Sequence, residues 1–297
     1  MIPKHLWEHN ILNQSEALVE VYKNKLISLS MLEHAKNATE DGNGATGGLT
    51  EEETHKHFAE RFLTSSARVQ FITINPRGEF DRVSKDLQTT FLSGNISVLD
   101  IPAGTGAGIL SLLCNIAELR MCSHLPRLPL HIYLTGGDYS ASALMIYNEL
   151  LDDIKVHLAN QLIYIHYQVI EWDAQDVPST NILLDSWFSQ ATDTEEYYIL
   201  VPAFSGVGSS IYKRFEDSFK LIQWRVSNLP VTITFIEPQM KSANIFIKFF
   251  KKAIDKIGVL LLGIEESTET NDRFNWYDPI RNNVARSGVS VVSYYRR

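Results

Sequence analysis

From residue 96 onward, short apolar runs alternate with longer amphipathic stretches. The runs have the length and the β-branched composition of strands, and the stretches repeat apolar residues every three to four positions, which predicts helices. Seven strands are predicted, at Ile96–Ile101, His131–Thr135, Ile163–Val169, Tyr197–Val201, Val231–Ile236, Val259–Ile264 and Val289–Tyr294. Helices are predicted at about 107–121, 141–158, 209–225 and 242–256, with a weaker signal at 178–192.

Strands that are joined by helices need crossover connections, and these produce a parallel sheet with helices on both faces. The last two predicted strands differ, because the sequence between them (266–288) contains Gly, Asn and Asp and has no helical pattern. Such a connection permits an antiparallel return. The predicted fold is therefore α/β, with a seven-strand, mostly parallel sheet whose last strand is antiparallel.

The first fifty residues follow another pattern. Apolar residues recur at three- and four-residue steps, which predicts an amphipathic helix; they are Leu18, Val21, Tyr22, Leu26, Leu29 and Leu32. Four glycines between 42 and 48 predict a flexible linker. Thr50 and Glu53 have the spacing of a capping box, so a new helix is expected there. We therefore predict an N-terminal helical extension with its linker (1–49) and one α/β domain (50–297).

Composition limits the protein classes that need consideration. The 297 residues include 44% apolar and 21% charged residues, which is typical of a globular protein. Lys and Arg total 27 against 35 Asp and Glu, a net charge of −8 that argues against a whole-surface electrostatic contact with nucleic acid. Two cysteines cannot build a disulfide scaffold or a four-ligand zinc site, so we expect no metal and no disulfide-linked partner. With no secretion signal and no apolar run of membrane-spanning length, the prediction is a cytoplasmic protein that does not contact the membrane.

The most informative segment runs from Val98 to Gly108. A predicted strand ends at Asp100, a turn with three alternating glycines follows, and a helix begins. Glycines let the backbone approach a ligand closely, and a helix start offers unpaired N–H groups. Dinucleotide binding and S-adenosylmethionine (SAM) binding are both compatible with such a loop. The dinucleotide fingerprint is not met, because Ile109 occupies the position of its last glycine. A carboxylate at position 100 repels a pyrophosphate and suits a ligand with an ammonium group.

This segment resembles motif I of the class I SAM-dependent methyltransferases, an acid followed by x-Gly-x-Gly-x-Gly. Gly104 and Gly106 match the second and third glycines of the motif, and Pro102 replaces the first glycine. The resemblance implies a strand order of 3-2-1-4-5-7-6. It also implies that the cofactor SAM lies against the loop residues, which are Asp100, Pro102, Ala103, Gly104, Thr105 and Gly106.

The same resemblance implies roles for residues after the next two strands. Asp138 would bind the ribose hydroxyls, with Tyr139 beside the adenine and Ser140 opening the following helix. Asp173 would recognise the adenine amino group, and Ala174 would supply backbone contacts. Each acid could instead be a turn residue or a helix cap. Their occurrence at the ends of three successive strands, where open α/β sheets bind ligands, favours the cofactor site.

The fourth and fifth strands border the expected substrate side. Val201 and Pro202 would lie beside the cofactor, and Phe204 and Ser205 would face the substrate. Glu237 could orient a substrate or accept a proton, or it could cap the next helix. The fourth-strand turn lacks the Asn or Asp of nucleic-acid amino methyltransferases, which argues against that type. His57 and His166 are further candidate bases, and no catalytic base is assigned.

The sequence thus predicts a methyltransferase that transfers the methyl group of SAM to an oxygen or nitrogen acceptor. A small molecule, a protein or an RNA could be that acceptor. Two alternatives stay open: a catalytically inactive methyltransferase-like domain that acts by binding SAM or a protein partner, and a nicotinamide-dependent oxidoreductase. The N-terminal helix could serve as a lid or as a partner-binding element.

Overall fold

A computed structural model describes residues 2–38, 50–190, 193–204, 212–239 and 266–296. The helices in these residues are α1 (Glu16–Ser28), α2 (Leu32–Asn37), α3 (Glu51–Ile74), α4 (Asp81–Thr90), α5 (Ala107–Met121), α6 (Ala141–Ala159), α7 (Val177–Gln190) and α8 (Tyr212–Arg225). The strands are β1 (Trp7–Glu8), β2 (Ile11–Leu12), β3 (Gly94–Asp100), β4 (Leu130–Asp138), β5 (Ile163–Glu171), β6 (Glu196–Pro202), β7 (Val231–Pro238), β8 (Glu266–Asp278) and β9 (Asn283–Arg296). The glycine linker, the predicted helix 242–256 and the predicted strand 259–264 lie outside the described residues.

One sheet contains all the described strands, in the order β1-β2-β8-β9-β7-β6-β3-β4-β5. Strands β3 to β7 are parallel, and β9 is antiparallel to both of its neighbours, as predicted for the last strand. If β1 and β2 are set aside, the order is the 3-2-1-4-5-7-6 that the resemblance implies. The prediction of seven strands is wrong, because the sheet has nine strands in the described residues alone.

The two additional strands are short. β1 and β2 have two residues each, and β2 extends the sheet by pairing in parallel with β8 at Asn275 and Trp276. Strands of two residues leave no periodic signal, so the hydrophobic pattern could not reveal them. Leu6, just before β1, and Leu12, the last residue of β2, are fully buried in the hydrophobic core. The division of the chain at residue 49 into extension and domain stays a prediction.

Strand β8 also differs from the sequence-based expectation. Residues 266–278 were expected to form an irregular connection, but they form a strand along β9. The buried side chains Phe274 and Trp276 alternate with more exposed neighbours. The two apolar residues lie near the end of the strand and follow a run of polar residues. The sequence pattern of the strand as a whole therefore resembles a loop.

The helices form two layers around the sheet. Helices α1, α3, α5 and α6 contribute to one core cluster, whereas α7 and α8 contribute to the other. Neighbouring residues of β3 divide between the clusters, with Val98 in the first and Leu99 in the second, because successive side chains of a strand point to opposite faces. The prediction of helices on both faces is confirmed. Among the described residues, no helix has the length and apolar character needed to cross a membrane.

Helix α3 begins as the sequence predicts. The Thr50 side chain accepts a hydrogen bond from the Glu53 amide, and the Glu53 side chain accepts one from the Thr50 amide, so the capping box is complete. Phe58 and Phe62 lie one turn apart and both contact the ring of Tyr22 in α1. The helix therefore uses these aromatics in the core.

A buried arginine joins the loops at the amino ends of three strands. Arg120, at the end of α5, donates to the carbonyls of Leu92 at 2.7 Å, Leu128 at 2.8 Å and Gln161 at 2.6 Å. These carbonyls precede β3, β4 and β5, respectively. The end of the sheet opposite the glycine loop is thus held by one side chain.

Candidate functional site

The glycine loop between β3 and α5 is held by the strands on both sides of β3. The Ile101 amide donates to the Leu200 carbonyl of β6 at 3.0 Å, and the Ala103 amide donates to the Gly137 carbonyl of β4 at 2.8 Å. Ala103 and Thr105 are buried, and Pro102 is half-buried after a cis peptide bond. The loop is therefore fixed at the carboxyl edge of the sheet, as the sequence predicts.

Gly104 connects this loop to the end of β4. Its amide donates a 2.8 Å hydrogen bond to Oδ2 of Asp138. Gly104 has a φ of +51°, and a Cβ added there would meet no atom within 4 Å. The backbone of Gly104 therefore borders open space, where a ligand can approach it closely.

Gly106 is required for a different reason. Its φ is +89°, and a Cβ there would lie 3.0 Å from Leu110 and 3.1 Å from the Tyr147 ring. A Cβ at Gly136 of β4 would also meet the Tyr147 ring at 3.0 Å. The ring of Tyr147, from α6, thus lies against both glycines and supports the loop from inside.

Asp100 lies beneath the loop and is fully buried. Tyr147 Oη donates to its Oδ2 at 3.2 Å, whereas Oδ1 has no hydrogen-bond partner among the described residues. Burial raises the pKa of the Asp100 carboxyl well above its usual value, an effect that the Tyr147 hydrogen bond opposes and the nearby Asp138 carboxyl adds to. The environment of Asp100 therefore favours its neutral form.

Each carboxylate oxygen of Asp138 accepts a hydrogen bond from a backbone amide. Oδ1 accepts from the Ser140 amide at 2.9 Å, and Oδ2 accepts from Gly104. Burial raises the pKa of Asp138, and the hydrogen bonds from the backbone at Ser140, Gly104 and Tyr139 oppose that shift. Ser140 caps α6 as the resemblance implies, and the Tyr139 ring beside it is 62% exposed.

The third acid, Asp173, stabilises a turn. Its Oδ1 accepts from the Gln175 amide at 2.8 Å, and its own amide donates to Ser179 Oγ at 3.0 Å. These bonds match the turn role that the sequence left open. Trp172, just before it, donates its amide to the Asp138 carbonyl at 2.8 Å, and Ala174 is buried. Asp173 is therefore held close to the end of β4.

The residues at the carboxyl ends of β6 and β7 are more buried than the sequence predicts. Val201 is fully buried, and Pro202 packs so closely on α5 that a Cβ at Gly108 would lie 3.0 Å from it. Glu237 is fully buried, and its Oε1 accepts from the Phe204 amide at 2.7 Å. The Phe204 ring contacts an aromatic cluster of Trp172, Phe215 and Phe219. Ser205 lies outside the described residues.

The two candidate histidines lie on different elements. His57 is on α3, where burial and then Arg61 lower its pKa. His166 is an exposed residue in the middle of β5, and its ring stacks on Tyr133 at a centroid distance of 5.2 Å. His166 is thus away from the glycine loop. Among the described residues, no group of three or more His, Cys, Asp or Glu side chains could hold a metal ion.

The structure therefore brings together Asp100, the glycine loop and Asp138. Sequence reasoning missed Tyr147, which links Asp100 to Gly106, and Thr54 of α3, whose hydroxyl lies 3.2 Å from that of Ser140. The helical spacing of α6 marks Tyr147 as a buried position. Its contact with a loop forty residues earlier is tertiary and leaves no local signal.

No protein-family model matches this chain, and no curated protein has significant sequence similarity to it. Among solved structures, a precorrin-6y C5,15-methyltransferase from Geobacter metallireducens is 10% identical with a TM-score of 0.38, over 72% of this chain and 87% of the other. A protein from the conversion of a disulfide bond into a thioacetal group in echinomycin biosynthesis is 14% identical with a TM-score of 0.35, over 71% of this chain and 80% of the other.

A third solved structure comes from Listeria monocytogenes and is described as a class I SAM-dependent methyltransferase. It is 12% identical with a TM-score of 0.37, over 94% of this chain and 69% of the other. The solved structures similar to this chain thus include SAM-dependent methyltransferases.

Proposed function

We propose that this chain binds SAM at the carboxyl ends of β3, β4 and β5 and transfers its methyl group to an oxygen or nitrogen acceptor. The observation that carries the proposal is the hydrogen bond between the Gly104 amide and Asp138, beside open space at Gly104. Ligands of open α/β sheets bind at this edge, where the strand order reverses between β3 and its two neighbours.

The residues at this edge suit the cofactor. Gly104 leaves room for a ligand against the backbone, and each oxygen of Asp138 can accept a second hydrogen bond from a hydroxyl group. The exposed ring of Tyr139 offers a flat apolar surface beside Asp138. Gly104, Asp138, Tyr139, Asp173 and Ala174 are the residues that would hold the cofactor. When bound, SAM supplies a methyl group activated by its positively charged sulfur.

The contribution of the chain itself is positioning. Hydrogen bonds to β4 and β6 hold the loop, and the Gly104 amide holds Asp138, so this part of the site is in place without a ligand. Val201, which is fully buried, and Pro202, which packs against α5, are apolar and would keep water from the β6 side of the site. Holding two reactants in line supplies much of the acceleration of a displacement reaction without a base.

One observation favours the alternative of a binding module without transferase activity. Phe204 and Glu237, the described residues expected to face the substrate, are both buried and bonded to each other. They offer no polar group to an acceptor in this arrangement. A domain that binds SAM and acts through a protein partner would need only the glycine loop and Asp138.

Titration calorimetry with SAM, S-adenosylhomocysteine and NAD tests the proposal. We expect micromolar binding of both sulfur ligands and none of NAD. Asp138→Ala should weaken binding of the sulfur ligands by about a hundredfold, because it removes the acceptor of the ribose hydroxyls and the anchor of Gly104. Asp153→Ala, on the exposed surface of α6, is the matched control and should bind as the unmodified chain does.

The ligand-binding result also separates the two functions. Binding of both sulfur ligands without methyl transfer to small-molecule, protein or RNA pools would favour the binding module. Failure of a folded, ligand-free preparation to bind either ligand would exclude both functions. Preferential binding of NAD would instead support an oxidoreductase.

A further inference from the structure

Strand β5 ends the sheet with few of the features that usually protect an edge. It is nine residues long, Ile163–Glu171, contains no Pro, Gly, Lys, Arg or Asp, and has its one acidic residue, Glu171, at the last position. Native edge strands are normally short, charged, bulged, interrupted by Pro or covered by another element. Within the described residues, no backbone group on the outer side of β5 is paired with another strand. With respect to the described part of the chain, strand β5 is therefore open to pairing.

The opposite end of the sheet shows the usual protection. There the long strand β8, with 13 residues, is followed by β2 and β1, with two residues each. The outermost strand on that side is too short to accept a partner over any distance. The two ends of the sheet thus differ in the way expected when only one of them serves as an interface.

Side chains of β5 are also incompletely covered. On one face of the strand Tyr164 is 37% exposed and Ile170 is partly buried, and on the other face, towards α6, Tyr167 and Val169 are partly buried. The rings of Tyr164 and His131 stack on the first face at a centroid distance of 5.0 Å. Contact with a second apolar strand would remove part of this apolar surface from water.

The charges beside the middle of β5 are self-complementary. Tyr167, the central residue of the strand, lies under α6: its hydroxyl donates to the Asn148 carbonyl at 3.3 Å, and Lys155 Nζ lies 4.5 Å from its ring centroid. Asp152 bonds to Lys155 at 2.7 Å. A two-fold axis between two copies brings the Asp of each helix next to the Lys of the other helix. An Asp and a Lys that lie side by side on one helix can therefore form two ion pairs between the copies.

We propose that a second copy of this chain pairs antiparallel with β5, around a two-fold axis at Tyr167. The dimer has one continuous sheet, and Asp152 of each copy faces Lys155 of the other. In this register Val169 of one copy lies opposite Ile165 of the other. The glycine loops follow β3, two strands away from β5, and are therefore not part of this interface.

Sedimentation equilibrium of the full chain tests the proposal first. We expect a dimer at micromolar concentration. Val169→Lys should raise the dissociation constant by about tenfold or more, because it places an ammonium group opposite Ile165 of the other copy. Val284→Lys makes the same change at a 54% exposed position near the other end of the sheet and should leave the dimer intact. A monomer at all concentrations, or a dimer unaffected by Val169→Lys, would overturn the proposal.

Cross-linking tests the register independently of any folding defect in Val169→Lys. When a residue lies on the two-fold axis, its Cα is about 4.5–5.5 Å from the Cα of the same residue in the other copy, a distance that suits a disulfide. In a Cys122→Ser background, oxidation of Tyr167→Cys should give a covalent dimer, whereas Tyr133→Cys, one strand further in, should give none. Equal cross-linking of the two variants, or none at Tyr167→Cys, would contradict the proposed interface.

Discussion

The amide of Gly104 donates a 2.8 Å hydrogen bond to Oδ2 of Asp138, thirty-four residues later in the chain. This bond makes the glycine loop after β3 and the end of β4 a single unit. The residue proposed to bind the ribose also fixes the backbone that borders the open space at Gly104. A change at Asp138 therefore affects both parts of the site.

Two glycines of the loop should respond differently to alanine. Gly104→Ala should cost about 1–2 kcal/mol of stability, because φ is positive but the added methyl enters open space. The same methyl should weaken SAM binding by about tenfold or more, since it occupies the space next to the backbone. Gly106→Ala should cost about 3 kcal/mol or more, because its methyl also collides with Leu110 and Tyr147.

Urea unfolding and calorimetry measure these two effects. Gly78→Ala is the matched control: it has a φ of +81° and meets only the Asp81 carboxylate at 3.5 Å, away from the site. It should lose stability and keep full affinity for SAM. If Gly104→Ala also keeps full affinity, the proposed position of the cofactor is wrong.

The buried carboxyl of Asp100 should make stability depend on pH. Because burial raises its pKa in the folded state above the usual 3.8, the folded chain binds this proton more tightly than the unfolded chain does. The resulting stabilisation is complete below about pH 4 and is lost as pH rises through the folded-state pKa. Asp100→Asn, which keeps an acceptor for Tyr147, has no such loss.

The free energy of unfolding of Asp100→Asn should therefore increase relative to the unmodified chain as pH rises from about 4 to 8. The difference can grow by at most about 1.4 kcal/mol per pH unit. Urea unfolding at several pH values measures it. A difference that stays constant with pH would show that the Asp100 carboxyl is not perturbed.

Arg120 should not be replaceable by lysine. Its guanidinium bonds to three loops at once, and an ammonium on a shorter, non-planar group cannot span them. Arg120→Lys should lower the free energy of unfolding by about 3 kcal/mol, because buried carbonyls lose their donors. Arg82→Lys, with a side chain 40% exposed on α4, is the control and should change stability little. Equal urea midpoints for the two variants would contradict this role.

Strong periodic segments made much of the fold predictable. Helix α5 was predicted at 107–121 and has those bounds, and each predicted strand within the described residues is present. The two-residue strands β1 and β2 gave no pattern, and the polar half of β8 resembled a loop. Both errors concern one end of the sheet, where tertiary pairing decides the structure and local sequence does not.

The candidate site was predictable where the chain itself places a residue at a strand end. Asp100 and Asp138 are the last residues of β3 and β4, and the resemblance placed both at this edge. The sequence could not show that Asp100 is buried against Tyr147, or that Glu237 bonds to the Phe204 amide. Those contacts join distant segments, and their partners become neighbours only once the sheet has formed.

The pairing of β2 with β8 has a consequence for the order of events during synthesis. Ile11 and Leu12 leave the ribosome long before their partners, Asn275 and Trp276, have been made. These two residues cannot reach their final place until synthesis has passed residue 276, and such a separation in sequence slows folding. Shortened forms that end before residue 275 would leave Ile11 and Leu12 without a strand to join.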